Sequence, residues 1–153
     1  MKAPSCLCAA LFGLLTFSAQ AAIDVHDPYA RATPPRAPNS AAFMVLTNSG
    51  NEAINLISAA SPAAGKVELH NHVMADGMMK MRQVETIVIP SQGKATLEPG
   101  GFHIMLLDLT APLKEGEALS LTLRFSDGTE ITQSLPIRKT MVESKMKHSH
   151  DNG

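Results

Sequence analysis

Cysteine is nearly missing from this chain of 153 residues: there are two, Cys6 and Cys8. Both fall in an N-terminal stretch with the marks of a secretory signal. Met1-Lys2 is a short basic start, Cys6 to Phe17 is an almost unbroken apolar run, and Ala19-Gln20-Ala21 fits a small-x-small cleavage site. Removal of residues 1–21 leaves an exported chain without a thiol. That excludes a disulfide framework, thiol redox chemistry and a blue-copper site, which needs a cysteine ligand. Neither cysteine follows the apolar run, where a lipid-attachment cysteine would stand. Long apolar runs are missing too. The one in the signal is too short to anchor permanently in a bilayer, and none follows it, so no membrane anchor is expected. Charge of one sign is also lacking. Without Lys2 the chain carries 12 basic against 14 acidic residues, a net of −2 with neutral histidines. This gives no footing for nucleic acid or an anionic membrane. There is no nucleophile elbow, zinc-protease helix, phosphate loop or paired-carboxylate motif, and the chain is not expected to be an enzyme.

What the chain does have is methionine and histidine, gathered in two clusters. His70, His72, Met74, Met78, Met79 and Met81 form the first, and His103 and Met105 the second. Outside them, and apart from the C-terminal tail, only His26 and Met44 remain beyond the signal. A single methionine is most simply a filler of core gaps, and a single histidine is most simply incidental. Two mixed clusters in a chain without thiols point instead to a soft metal site, because thioether sulfur is soft and imidazole borderline, a pairing that suits Cu(I) over hard cations. His26, beside a turn, reads as a surface or capping residue, and Met44 as core.

The rest of the chain reads as short strands. Ile23 to Val25 begins one, Asp27-Pro28 breaks it, and Tyr29 to Ala32 resumes as an edge. A proline-rich loop runs from Thr33 to Ser40. Ala41 to Thr47 and Ile54 to Ala59 are strands around the Asn48-Ser49-Gly50-Asn51 turn. Lys66 to Met74 alternates, with Val67, Leu69 and Val73 on one face and Glu68, His70, His72 and Met74 on the other. Asp76-Gly77 is a hairpin turn, Met78 to Val84 the return strand, and Thr86 to Ile89 and Ala95 to Leu97 are short extended pieces. Phe102 to Leu109 puts His103 and Met105 on one face by its period of two. Leu119 to Phe125 and Glu130 to Ile137 close a last hairpin around Asp127-Gly128. Beyond Arg138 the chain is polar, and residues 139–153 read as a disordered tail. The body, residues 22–138, is therefore expected to be an all-β antiparallel sandwich or barrel. The register at Asp76-Gly77 stays open. A two-residue turn sets His72 opposite Met81 but puts Lys80 and Arg82 on the face of Val67 and Leu69, where charge is costly. A bulge or a three-residue turn reverses that parity.

The cluster spacing carries a resemblance. His70 and Met81 enclose ten residues, Met81 and His103 enclose twenty-one, and His103-Ile104-Met105 follows. This H-x10-M-x21-H-x-M pattern, with the surrounding V-E-L-H, D-G-M-M-K-M-R, G-G-F-H-I-M-L-L-D-L and P-L-K-E-G-E segments, resembles the periplasmic PCuAC copper chaperones over Ile23 to Ile137. The resemblance implies a cupredoxin-like β-sandwich, Cu(I) as cargo, and His70, Met81, His103 and Met105 as its ligands. It also implies a periplasmic location and, as partner, the CuA-bearing subunit of cytochrome c oxidase, with a second copper-assembly protein as a further candidate. Some members place Met directly after the first histidine, where this chain has Asn71.

Two neutral thioethers and two imidazoles add no negative charge around the metal, which suits a carrier that must release its cargo. The same donors would serve a copper-sequestering or resistance protein. A third reading, of a different class, is a metal-free β-sandwich assembly module with Met-rich packing. In the tail, Met141, Met146, His148 and His150 are candidate secondary ligands, for Cu(II) or for extra Cu(I), or else part of a solubilising terminus.

Overall fold

The computed structural model describes residues 22–139 as ten strands and no helix. The strands are β1 (Ile23–Arg31), β2 (Ser40–Asn48), β3 (Ile54–Ala60), β4 (Ala64–Ala75), β5 (Met78–Gln83), β6 (Ile87–Ile89), β7 (Gly93–Leu97), β8 (His103–Leu109), β9 (Ala118–Phe125) and β10 (Glu130–Arg138). Their order is β5-β4-β8-β2-β1-β10-β9-β3-β6, with β7 also on β2. The path does not close into a barrel. One apolar cluster fills the space between its two arms, drawing Leu46, Ile104 and Leu106 from the first and Leu56, Leu121 and Leu135 from the second. This is a sandwich, and Met44 lies in its core at 2% exposure. The signal segment and the tail residues Met141, Met146, His148 and His150 lie outside the described residues.

Two expectations are corrected. The stretch from Ile23 to Arg31 is one strand, not a strand, a break and an edge. Pro28 has no N–H to give the ladder, and the strand absorbs it in a bulge between His26 and Tyr29, with Asp27 at φ 47°. Nor is its second half an edge. Ala30 and Arg31 pair with Ile137 and Arg138 in a parallel arrangement, which makes the sheet mixed rather than purely antiparallel. The C-terminal strand thereby covers the side of β1 that β2 leaves open.

The hairpin register is settled by a two-residue turn. Asp76 and Gly77 both have positive φ, 52° and 74°, as a type I′ turn requires. Ala75 faces Met78, Met74 faces Met79 and His72 faces Met81. Lys80 and Arg82 do share the face of Val67 and Leu69. The expected cost is avoided because the hairpin overhangs the core: every β5 residue is exposed, and Lys80 approaches Asp76 at 3.9 Å.

β7 and β8 are two parts of one line along β2. Leu97 faces Met44 and Ile104 faces Ala42, so residues 98–103 all stand opposite Phe43 alone. The surplus is extruded as a small loop, closed by Glu98 N–H to Phe102 O at 2.9 Å and Gly101 N–H to Glu98 O at 3.0 Å. Its Pro99 and Gly100 line a cavity together with the second His/Met cluster.

Candidate metal centre

Strand parity decides which face carries the clusters. Leu69, Ile104 and Leu106 point into the sandwich, so Glu68, His70, His103 and Met105 point outward. His70 faces His103 across β4 and β8, and Glu68 faces Met105. The hairpin then brings Met81 onto the same face beside His72. All four residues carried by the H-x10-M-x21-H-x-M spacing thus lie on one outer face, His70 and His103 as neighbours with ring centroids 5.8 Å apart.

A cavity of about 530 Å³ opens on this face. His72, Met81, His103 and Met105 line one wall, the loop from Thr33 to Ser40 and the extruded Pro99-Gly100 turn form the others, and Phe43 is part of its floor. Phe43 is 1% exposed although it points away from the sandwich core. It is sheltered by Tyr29, whose ring centroid is 5.2 Å away, by the Arg31 guanidinium at 5.5 Å, and by His103 at 6.3 Å.

His103 is held for one purpose. Its Nδ1–H donates to Gly101 O at 3.0 Å, which leaves Nε2 with its lone pair 3.1 Å from Met81 Sδ. Metal bonds like those zinc makes to nitrogen and sulfur, roughly 2.0 and 2.3 Å, would bridge a gap of this order with a small parting of the two side chains. Burial, with His103 only 3% exposed, pushes the imidazole below its ordinary value of 6.5. The nearby His72, His70 and Arg31 push the same way, against the Gly101 hydrogen bond. The lone pair is therefore free at neutral pH.

His70 mirrors this arrangement. Its Nε2–H donates to Glu68 Oε2 at 2.7 Å, while Nδ1 is buried without a partner. A buried lone pair with no donor facing it is costly unless something fills the place. Glu68 is fixed in turn by Lys66, and the hydrogen bonds from Lys66 and then His70 hold its carboxyl below the usual range. Its oxygens are thus engaged rather than offered to a metal. Among the described residues no three of His, Cys, Asp and Glu converge on a metal position. The donors gathered here are imidazole nitrogen and thioether sulfur, a set that fits a soft monovalent cation rather than a hard one.

The four residues of the spacing pattern share one face, but His70 does not line the cavity and His72 does. The His72 ring centroid is 5.1 Å from that of His103, and Nδ1 lies 3.4 Å from Gly101 O. Gly101, Phe43 and Arg31 were missed altogether. Glu68 had a visible signal, its place two residues before His70 on the same face. His26 bonds Thr47 Oγ1 through Nε2 at 3.0 Å, far along the strand from this group, as a surface residue would.

Residues 23–137 match the putative lipoprotein LpqE-like family. The chain belongs to that family, the family of the PCuAC domains. A putative lipoprotein of Leifsonia xyli subsp. xyli is 38% identical over 100 residues, 65% of this chain and 60% of that relative's length. The solution structure of CuI-DR1885 from Deinococcus radiodurans is similar with a TM-score of 0.62 and 35% identity, over 76% of this chain and 80% of the other. A copper-bound PCuAC domain from PmoF2 superposes with a TM-score of 0.67 over 78% of this chain and 94% of that one. At 24% identity this last likeness speaks for the fold, and it makes the PCuAC sandwich the architecture of this chain.

Proposed function

We propose that this PCuAC protein is an exported Cu(I) carrier of the periplasm. His70 Nδ1, Met81 Sδ, His103 Nε2 and Met105 Sδ are its ligands in this reading, and the CuA centre of cytochrome c oxidase is its acceptor. The observation that carries it is the approach of His103 Nε2 to Met81 Sδ at 3.1 Å, with the other ring nitrogen tied to Gly101 O. The Cu(I)-bound DR1885 structure supports the metal, and the lipoprotein description of the family and of the Leifsonia relative supports export. Among the described residues no helix is long and apolar enough to cross a membrane. Neutral sulfur and nitrogen donors at a half-open cavity favour delivery over storage, since the acceptor's own ligands can reach the ion. No catalytic step is assigned to the site.

The test is transfer. Cu(I)-loaded protein is mixed with an apo CuA domain, and the metal is located after separation. Copper on the acceptor, with this chain returned to the apo form, is the expected result. Copper retained here against an excess of competent acceptor contradicts delivery and favours sequestration.

A further inference from the structure

Six large apolar side chains stand well exposed among the described residues, and four of them are methionines of one hairpin: Met74 at 67%, Met78 at 63%, Met79 at 55% and Met81 at 47%. An apolar contact surface would be served as well by leucine or valine. What repeats here is sulfur. The register sorts these methionines by face. Met74 lies opposite Met79, and the next pair on that face is His72 with Met81. Met78 lies opposite Ala75 and so shares the other face with Lys80 and Arg82. In a two-residue hairpin the pair flanking the turn carries the ladder hydrogen bonds. Met74–Met79 and His72–Met81 then fall at the alternate positions, where opposed Cα atoms approach to about 4.5 Å and side chains meet most closely.

Soft donors thus run in a row from the hairpin tip to the cavity: two exposed sulfurs, then His72 and Met81, then His103 and Met105. His72 joins the two ends, because it belongs to the hairpin row and also lines the cavity. With Nδ1 toward Gly101 O, its Nε2 is left for a metal.

We propose that Met74 and Met79 form a capture site for Cu(I), which then moves along this face through His72 and Met81 to the central ligands. The proposal rests on the reading of the central site as a Cu(I) site. Each move is a ligand exchange: a bond from copper to His72 Nε2 or Met81 Sδ forms before a bond to a tip sulfur breaks. Copper stays Cu(I) throughout, no proton or electron is transferred, and the ligands of the incoming complex leave with their own charge. Two thioethers bind weakly enough to let go, which a relay position requires and a storage site does not.

The experiment follows uptake of Cu(I) by the full chain from its bicinchoninate complex in a stopped-flow instrument, with the equilibrium affinity measured separately. The double variant Met74→Leu/Met79→Leu keeps the bulk of the side chains and removes the sulfurs. Its uptake rate is expected to fall by about tenfold, a modest part of what tethered, successive sites give, while equilibrium affinity stays at the wild-type value. Met78→Leu removes an equally exposed sulfur from the wrong face and is expected to leave the rate unchanged. Wild-type rates in the double variant overturn the capture site and leave the proposed function standing. Equal slowing by Met78→Leu overturns the facial path as well. A wild-type chain that takes up no Cu(I) contradicts the proposed function itself, and the capture site with it.

Discussion

His70 and His103 are anchored through opposite nitrogens. Glu68 accepts a hydrogen bond from Nε2–H of one and Gly101 O accepts from Nδ1–H of the other, so each ring is left with one unshared pair. Met81 adds sulfur from an exposed position, and because little packing depends on it, ligand and core roles separate cleanly there. Met81→Leu and Met105→Leu nearly conserve volume, and each is expected to cost the apo protein less than about 1.5 kcal/mol in a denaturation experiment. Each is also expected to weaken Cu(I) binding severely in a competition titration, whereas Met44→Leu, in the core, leaves copper binding unchanged. A pH effect follows from His103. Its folded value lies below 6.5, mainly through burial, so the unfolded chain takes the proton more readily than the folded one. The stabilisation is complete above the ordinary imidazole value and is lost as pH falls through it toward the folded value. The apo melting temperature is expected to drop between about pH 7.5 and 5, with a shallower slope in His103→Gln. That the four spaced residues belong together on one face was legible, because a spacing is a property of the sequence itself. Gly101 and Phe43 were not, because their roles arise from a backbone carbonyl and from a strand pairing that no side-chain pattern encodes.

At the scale of the elements, two devices build the site, and they differ in how plainly the sequence shows them. The Asp76-Gly77 turn has a composition that only a tight hairpin wants, and it appears where expected, with the parity that places Met81 beside His72. The extruded loop between β7 and β8 has glycine and proline but no sign that its flanks are collinear. That fact lies in β2, some fifty residues earlier, whose Met44 and Ala42 receive Leu97 and Ile104 in succession. Deleting residues 98–102 would leave His103 directly opposite Phe43, with the alternation of Leu97, His103 and Ile104 intact. The shortened protein is expected to unfold in one cooperative transition. Its Cu(I) affinity should fall because the Gly101 carbonyl that orients His103 is gone. Calorimetry and a copper titration on the same sample check both halves. Unchanged affinity would show that the loop does not orient the ring.

The whole molecule keeps stability and chemistry on opposite faces of one sheet. Leu121, 0% exposed, lies in the second arm of the sandwich, away from the outer face that carries the site. Leu121→Ala is expected to cost about 2–5 kcal/mol by chemical denaturation while the folded fraction binds Cu(I) as before. The β architecture was legible from turn residues at short intervals. The parallel pairing of β1 with β10 was not, because the bulge at Asp27-Pro28 looks in sequence like the end of a strand and the partner is the last of the described strands. The central claim, that two thioethers and two imidazoles of this outer face hold Cu(I), is tested most directly by copper K-edge X-ray absorption on the protein loaded with one equivalent of Cu(I). Sulfur and imidazole scatterers are expected together, with the sulfur contribution reduced in Met81→Leu and in Met105→Leu. A wild-type spectrum of nitrogen and oxygen neighbours alone, or a sulfur contribution at wild-type strength in both single variants, would contradict the four-ligand site.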